Sequence, residues 1–255
     1  MSDDTWENFA KDEPYWAVIT DPRFKASDNG QLAPEDRALF FRSGRTFVEG
    51  TLDILQRHFG RRFTREDCCL DFGSGVGRLL LPMSKHCGRA IGLDISPTMR
   101  RLCMENALEF GAGNIECYSG IEHPALSEAQ FDWVNSYIVF QHIDTVTGFQ
   151  ILDALLRRVK PNGAISLHFT VYKDRRIGTY VNDRYSYFTV DQNGVREVVT
   201  AGTYYEGQVM MMNDYDVTRL FMMFGEHGFN RLLTHHEDQE GMHGLIFYGI
   251  KDQAD

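Results

Sequence analysis

The stretch CCLDFGSGVGR, residues 68–78, decides the fold, because an apolar run is followed at once by three closely spaced glycines. The run over 68–72 predicts a short buried strand of a parallel sheet. Glycine accepts a positive φ and lets a ligand approach the backbone without a Cβ atom in the way, so a tight binding turn is expected. A helix is predicted over 76–86, with its free N–H groups facing that ligand. The glycines are Gly73, Gly75 and Gly77.

Length and charge limit the class of protein. A chain of 255 residues favours one large domain with a full-sized core. The 36 acidic and 26 basic side chains give a net charge of −10, which argues against nucleic acid as the main partner. Residues 1–30 lack the basic start and apolar run of a secretory signal, and no stretch is long enough to span a membrane. We therefore expect a cytoplasmic protein with no membrane partner.

Two features could suggest a metal site. The five cysteines contain no C-x-x-C pair, so neither a zinc knuckle nor a redox dithiol is indicated. Histidines and acids also cluster over 235–243, and both side-chain types bind first-row metals. That cluster falls in one polar connection between two predicted strands, which favours a solvated loop. No metal is expected.

Strands alternate with helices after the glycine turn. This alternation predicts an α/β fold with a mostly parallel sheet covered on both faces, since parallel strands need crossover connections. The opening stretch up to Gln31 is expected to be ordered but irregular, and a long helix should follow from Pro34 to Gly60. Further strands are predicted over 90–95, 115–118, 131–139 and 164–171, and further helices over 97–111 and 146–159.

The alternation breaks over 173–210, an insert that holds five tyrosines. The sequence Asp-Gln-Asn-Gly at 191–194 predicts a hairpin there. The aromatic rings could hold an organic substrate, pack on their own domain, or form a homodimer interface. A helix near 217–228 and strands over 229–234 and 244–250 are predicted after it. The tyrosines are Tyr180, Tyr185, Tyr187, Tyr204 and Tyr205.

A glycine turn after a first strand serves two ligand classes, dinucleotides and S-adenosylmethionine. The dinucleotide pattern is G-x-G-x-x-G, whereas Arg78 stands here where the third glycine would be. Asp94 ends the second predicted strand, where a carboxylate can accept both hydroxyls of the ribose that either ligand carries. A nicotinamide-dependent oxidoreductase is therefore the disfavoured alternative.

Four ordered segments resemble the class I S-adenosylmethionine-dependent methyltransferases. They are LDFGSGVGR at 70–78, GLDISP at 92–97, FDWV at 131–134 and LLRRVKPNG at 155–163. The resemblance covers residues 65–172. It implies a Rossmann-like, seven-stranded, mostly parallel sheet whose last strand is antiparallel, and it implies S-adenosylmethionine as the cofactor.

The resemblance also implies how the chain is organised. An N-terminal helical cap would occupy residues 1–64, and the cofactor-binding core would occupy 65–172. The tyrosine-rich insert over 173–210 would form a β-rich lid. Residues 211–255 would complete the core sheet.

The family's cofactor contacts transfer to this chain where the motif matches. Gly73, Ser74 and Gly75 would line the methionine half of the cofactor. Asp94 would hold the ribose, and Asp71 belongs to the same motif. A helix N-terminus suits the methionine carboxylate as it suits a phosphate.

The adenine side departs from the family pattern. Ile95 and Met99 would pack on adenine. The family often carries an aspartate after the third strand, and here backbone groups of Gly120 or Ile121 would replace it. N-terminal segments of this family commonly fold across the site, and residues after the fourth strand meet the methionine amine. The candidates in these two places are Tyr15, Arg42 and Ser136.

A general base is needed only when the methyl acceptor arrives protonated, since methyl transfer is an in-line displacement. His142 follows the fourth predicted strand and His168 lies in the fifth, at strand ends where open α/β sheets bind ligands. Alternatively, His142 caps the next helix and His168 packs beneath one. We expect an enzyme that methylates an oxygen or nitrogen of a small organic molecule. A non-catalytic module that binds S-adenosylmethionine and regulates a partner is the remaining alternative.

Overall fold

The computed structural model describes residues 3–26, 31–174, 188–191, 194–197, 203–205, 208–210 and 212–253. Within them the strands are β1 (Cys68–Phe72), β2 (Arg89–Leu93), β3 (Ile115–Tyr118), β4 (Phe131–Ser136), β5 (Val159–Lys173), β6 (Phe188–Asp191), β7 (Gly194–Glu197), β8 (Thr203–Tyr205), β9 (Gln208–Met210), β10 (Leu232–Gln239) and β11 (Met242–Ile250). The helices are α1 (Asp3–Asp12), α2 (Pro14–Val18), α3 (Pro34–Phe59), α4 (Leu80–Ser84), α5 (Pro97–Glu109), α6 (Thr145–Arg157) and α7 (Val217–Glu226). None of the described helices is long and apolar enough to cross a bilayer.

Seven strands form one sheet in the order β10-β11-β5-β4-β1-β2-β3. β11 pairs antiparallel with both β10 and β5, whereas the other six strands share one direction. Every residue of β4 is buried, as a central parallel strand with both faces covered requires. The predicted Rossmann-like α/β fold is confirmed.

The chain divides into two compact units, Ser2–Asn135 and Ser136–Asp255. The first unit holds α1 to α5 with β1, β2 and β3, and it contains the glycine turn. The second holds α6 and α7 with β5 to β11.

The opening stretch of the first unit is helical, so the expectation of an irregular segment is wrong. Phe9 of α1 and Trp16 of α2 are both buried, with ring centroids 6.2 Å apart. Phe24 packs on Phe40 of α3 at 5.3 Å. Isolated helices this short are marginal in water, so it is this aromatic packing that stabilises them.

The two helices on either side of β1 begin and end for clear local reasons. α3 starts with Pro34 in its first turn and ends at Gly60, whose φ is 73°. The helix after the glycine turn is shorter than predicted, since only α4 forms within 76–86. Pro82 has no N–H to donate to an earlier turn, which prevents a regular helix from starting sooner.

The polar stretch over 235–243 is not a loop, which corrects the sequence prediction. β10 and β11 pair through it along their whole length, and only Glu240 and Gly241 connect them. β10 lies at the edge of the sheet, where polar side chains can face solvent. Among the described residues, no group of three or more His, Cys, Asp or Glu side chains is arranged to hold a metal ion.

The hairpin predicted at 191–194 is present in the backbone. β6 pairs antiparallel with β7, and Asp191 lies opposite Gly194. β8 and β9 form a second antiparallel pair. The tyrosines Tyr180, Tyr185 and Tyr187, and the side chains of these four strands, lie outside the described residues. The predicted roles of the insert as a lid or homodimer interface therefore stay predictions.

Candidate active site

The glycine turn is built on left-handed backbone. Gly73, Gly75 and Gly77 have φ values of 75°, 51° and 92°, a region that glycine adopts at no steric cost. The N–H groups of Gly73 and Ser74 donate to the carbonyl oxygen of Leu93 at 2.7 Å and 3.0 Å. These bonds fasten the turn to the end of β2, immediately before Asp94.

Asp94 joins the glycine turn to the start of α5. Its Oδ2 accepts the N–H of Gly75 at 2.9 Å, and its Oδ1 accepts the N–H of Ser96 at 2.9 Å. Burial raises the pKa of Asp94 to about 6, although these two N–H groups act in the opposite direction. Each carboxylate oxygen keeps a second lone pair, so the carboxylate can still accept two ribose hydroxyls.

Asp71 is a second buried carboxyl, at the end of β1. Asn135 donates from Nδ2 to its Oδ1 at 2.8 Å. Burial raises the pKa of Asp71 to about 7, and the charge of Asp94 adds to the rise, whereas Asn135 opposes it. The predicted cofactor residues Asp71 and Asp94 therefore share one electrostatic environment.

The Ser74 hydroxyl is buried, and its Oγ has no hydrogen-bond partner among the described residues. A Cβ atom on residue 92 would lie 2.7 Å from this oxygen. The absence of a side chain at Gly92 therefore leaves space for the Ser74 hydroxyl. An unpaired buried hydroxyl is costly unless a ligand completes its hydrogen bonds. The turn therefore fits a polar group such as the amino-acid end of S-adenosylmethionine.

Val18 of α2 packs directly on the glycine turn. A Cβ atom on residue 75 would lie 2.7 Å from Val18 Cγ2, so Gly75 lets the N-terminal segment approach the turn closely. An apolar residue in a short helix belongs to no motif, and the sequence therefore gives no signal for this contact.

The two N-terminal candidates differ in their surroundings. The Tyr15 ring packs edge-on against Phe40 at 5.1 Å, and its hydroxyl accepts Arg37 Nε at 3.3 Å. Arg42 is exposed and lines a cleft between α3, α4 and the end of α5. The lining of this cleft includes neither the glycine turn nor Asp94.

The adenine side offers one exposed apolar side chain and open backbone. Ile95 is 42 % exposed, whereas Met99 and Ile121 are buried. Nothing lies within 4 Å of a Cβ built on Gly120, so its backbone is accessible to a ligand. Of the four adenine candidates, Ile95 and Gly120 are the two with room for direct contact.

Glu7 of α1 supports the site without belonging to any sequence motif. Its carboxylate accepts the hydroxyls of Ser96 and Thr98 at 2.7 Å each, and the Thr98 N–H at 3.1 Å. Partial burial raises its pKa, but the hydrogen bonds from Ser96 and Thr98 outweigh that effect and hold the pKa at about 2. Because Ser96 also donates to Asp94, Glu7 steadies the predicted ribose contact.

In the second unit, His142 ends the 3₁₀ turn Phe140–His142 and is buried. The Phe140 ring packs on Phe169 of β5, with centroids 4.5 Å apart. Gln141 Nε2 lies 3.3 Å from His142 Nε2, and Gln141 Oε1 accepts the Thr170 hydroxyl at 2.8 Å. His142 is thus held in place by β5, as a general base needs to be.

The chain between β4 and this turn is strained. Ser136, the last residue of β4, is buried. Ile138 has a φ of 59°, which a β-branched residue rarely adopts. Strain of this kind persists where the surrounding structure imposes it, often at functional sites.

His168 is buried in β5, and neither ring nitrogen has a hydrogen-bond partner among the described residues. Its Nε2 lies 4.0 Å from Glu237 Oε2, and its ring lies 5.2 Å from that of Tyr137. Burial lowers the pKa of His168 to about 3, and the charge of His142 contributes in the same direction. His168 is therefore neutral at pH 7 and a weak proton acceptor, which makes His142 the better candidate base.

Comparison with known proteins fits this geometry. Residues 69–163 match the family model described as a methyltransferase domain. The matched stretch contains all of β1 except Cys68, together with the glycine turn and Asp94. The chain therefore contains a methyltransferase domain, and its fold is that of class I S-adenosylmethionine-dependent methyltransferases. The cofactor of this methyltransferase is S-adenosylmethionine, so the nicotinamide alternative is rejected.

Solved structures share the fold of this methyltransferase at low sequence identity. Magnesium protoporphyrin IX methyltransferase (ChlM) from Synechocystis PCC 6803 with bound SAH is similar with a TM-score of 0.59 and 16 % identity, over 98 % of this chain and 97 % of that one. The N-methyltransferase NodS from Bradyrhizobium japonicum WM9, in complex with S-adenosyl-L-homocysteine, has a TM-score of 0.59 and 11 % identity, with 98 % of each chain covered. No curated protein sequence matches the chain.

Proposed function

We propose that this methyltransferase moves a methyl group to an oxygen or nitrogen of a small organic molecule. The observation that carries the proposal is Asp94, whose two carboxylate oxygens are held by Gly75 and Ser96 beside an unpaired Ser74 hydroxyl. Similarity over nearly the full length to ChlM and NodS supports a small acceptor. The net charge of −10 disfavours a nucleic-acid acceptor.

The cofactor would be held by residues of the first unit. Gly73, Ser74 and Gly75 take the methionine half, and Asp94 takes the ribose. When bound, S-adenosylmethionine supplies a methyl group activated by a sulfonium. The adenine residues are Ile95, Met99, Gly120 and Ile121. Asp71 and Tyr15 would support the site from the same unit.

This chain's own residues would orient the acceptor, exclude water and remove a proton where one is present. His142 is the proposed proton acceptor, at its imidazole Nε2 or Nδ1, because its backbone turn is fixed and histidine is the side chain that most often serves as a general base. His168 would have a packing role, since its neutral ring fills the space beside Gly244, where a Cβ atom would lie 2.1 Å from His168 Nε2.

A labelling experiment tests the proposal. Cell extract is incubated with the protein and S-adenosylmethionine carrying an isotopically labelled methyl group, and small-molecule and polymer fractions are analysed by mass spectrometry. Label is expected in a small molecule with wild-type protein, and much less of it with Asp94→Asn at the same S-adenosylmethionine concentration. Label only in nucleic acid or protein would refute the small-molecule acceptor. Tight SAH binding with no labelled product in any fraction would favour a regulatory module.

Organisation and location complete the proposal. The four segments 1–64, 65–172, 173–210 and 211–255 stay our proposed division of the chain. All five cysteines are free thiols, which suits a reducing compartment, and we place the protein in the cytoplasm on that ground.

A homodimer through the insert would be detected by light scattering, and deletion of 175–187 should then yield a monomer.

A further inference from the structure

We propose a second ligand site in this protein, for a small amphipathic anion. The site is the cleft between α3, α4 and the end of α5, and its ligand would carry a carboxylate or phosphate on an apolar ring system. The cleft encloses about 480 Å³, within the range of about 300–1,000 Å³ typical of small-molecule sites. The glycine turn and Asp94 are absent from its lining, so it is separate from that part of the proposed cofactor site.

Positive charge is concentrated in this cleft, although the whole chain carries a net charge of −10. Arg42, Arg45 and Lys85 line the cleft and are exposed. Arg45 lies 3.9 Å from Glu49, an exposed pair of the kind that contributes little free energy. Among the described residues, no carboxylate forms an ion pair with Arg42 or Lys85. Three cations are therefore available to a ligand.

The apolar wall of the cleft is built by two aromatic rings. The rings of Phe41 and Phe110 have centroids 4.9 Å apart, and Phe110 is 48 % exposed. Apolar side chains from α4, Leu81 and Pro82, continue the wall. An exposed phenylalanine beside these groups offers a flat face to a ring of a ligand.

The one acidic side chain in the lining is already neutralised. Glu109 pairs with Arg37 at 2.7 Å, and Arg37 also donates to Asn106 Oδ1 at 2.7 Å. The guanidinium lies 5.1 Å from the Phe41 ring and 5.6 Å from the Phe110 ring. Glu109 therefore does not oppose an incoming anion. Arg37 also holds the Phe41 and Phe110 rings in place, so the aromatic wall need not reorder when a ligand binds.

Charge and shape together select the ligand class. Guanidinium groups bind carboxylates and phosphates through paired N–H donors, and lysine adds a point charge. An inorganic anion would leave the aromatic wall unused, and an uncharged ring would leave the three cations without partners. Only a ligand with both parts uses the whole lining.

Fluorescence titration with anilinonaphthalene sulfonate, an aromatic anion, tests the site. The full chain is first saturated with SAH, so that the cofactor residues are blocked. We expect one probe per chain, affinity that weakens as salt is added, and a loss of about tenfold or more in Arg42→Gln/Arg45→Gln, since each charge-assisted contact is strong. Lys85→Gln alone should weaken binding by a smaller factor, and it remains informative where the double variant does not fold.

Matched controls make the outcome decisive. Arg57→Gln/Arg101→Gln removes two exposed arginines that lie outside the cleft and should leave probe affinity within about twofold of wild type. Phenylnaphthylamine, the uncharged parent of the probe, should bind at least about tenfold more weakly. Unchanged probe affinity in both folded cleft variants, or equal binding of the uncharged compound, would overturn the proposal.

Discussion

The side chain of Val18 lies against Gly75, so that a Cβ atom at position 75 would be only 2.7 Å from Val18 Cγ2. The same glycine has a φ of 51° and donates its N–H to Asp94. One residue therefore joins the N-terminal segment, the turn and the predicted ribose contact, and substitution there should disturb all three.

Gly75→Ala should abolish measurable SAH binding and lower the free energy of unfolding by about 1–3 kcal/mol, because the residue must adopt a left-handed conformation and its methyl meets Val18. Calorimetry and urea unfolding measure the two effects. Gly50→Ala is the matched control, since nothing lies within 4 Å of its Cβ. That change should stabilise α3 by about 0.5–1 kcal/mol. Normal SAH affinity in Gly75→Ala would contradict the placement of the cofactor.

Asp94→Asn should weaken SAH binding about 10- to 100-fold, because an amide cannot accept both backbone N–H groups and both ribose hydroxyls. In the wild type, affinity should fall as the pH drops below about 6, approaching tenfold per pH unit, since protonation removes the acceptor. Calorimetric titration over a pH series measures this. Asp53→Asn, on an exposed face of α3, should show the wild-type pH profile, and a flat wild-type profile would disprove the role of Asp94.

The raised pKa of Asp71 should make the free energy of unfolding depend on pH. This pKa rises from 3.8 in the unfolded chain to about 7 in the folded chain. The folded state therefore holds more protons in that window, and the free energy of unfolding should decrease as the pH rises through it. Asp71→Asn mimics the protonated carboxyl and should flatten this slope between about pH 4 and pH 7 in urea titrations. Asp12→Asn, an exposed change, should leave the slope as it is.

Glu7→Ala should lower the free energy of unfolding by about 1–2 kcal/mol, since α5 loses three hydrogen bonds and a favourable charge at its N-terminus. SAH affinity should also fall, because Ser96 is less firmly held beside Asp94. Glu105→Ala, on α5, breaks an exposed ion pair with Arg101 and should lower the free energy of unfolding by no more than about 0.5 kcal/mol. Equal effects of the two changes would mean that Glu7 has no special role.

His142→Ala should lower kcat about 100-fold or more once an acceptor is known, as expected for loss of a general base. SAH affinity should change by less than about twofold, because the imidazole would act on the acceptor. His58→Ala, at the exposed end of α3, serves as the control. An unchanged kcat would assign His142 a structural role.

Sequence patterns were sufficient for the parts of the fold that depend on local rules. The glycines of the turn, Ser96 as the cap of α5, and the Asn-Gly hairpin between β6 and β7 are all fixed by backbone conformations that few residues adopt. The cofactor motif belongs to this group, and so Asp94 could be located from sequence.

Contacts between distant segments could not be predicted in this way. α1 and α2 pack on each other through Phe9 and Trp16, and Glu7 of α1 binds Ser96 far along the chain. No local pattern reveals these contacts. The polar residues over 235–239 predict a loop, yet they form the second half of β10, because an edge strand needs only one partner and tolerates polar faces. Val18 and the cleft cations likewise become significant only when packed beside residues from other helices.

The position of β11 between β5 and β10 has a consequence for how the protein is made. Ile165 of β5 pairs with Gly249, which leaves the ribosome long after β5 has emerged. Until then the hydrogen-bonding edge of an apolar strand stays open on the nascent chain. Such edges attract other strands, and non-local pairing is slow. Completion of the sheet must therefore follow synthesis of β11, which makes chaperone protection of the nascent chain valuable at this stage.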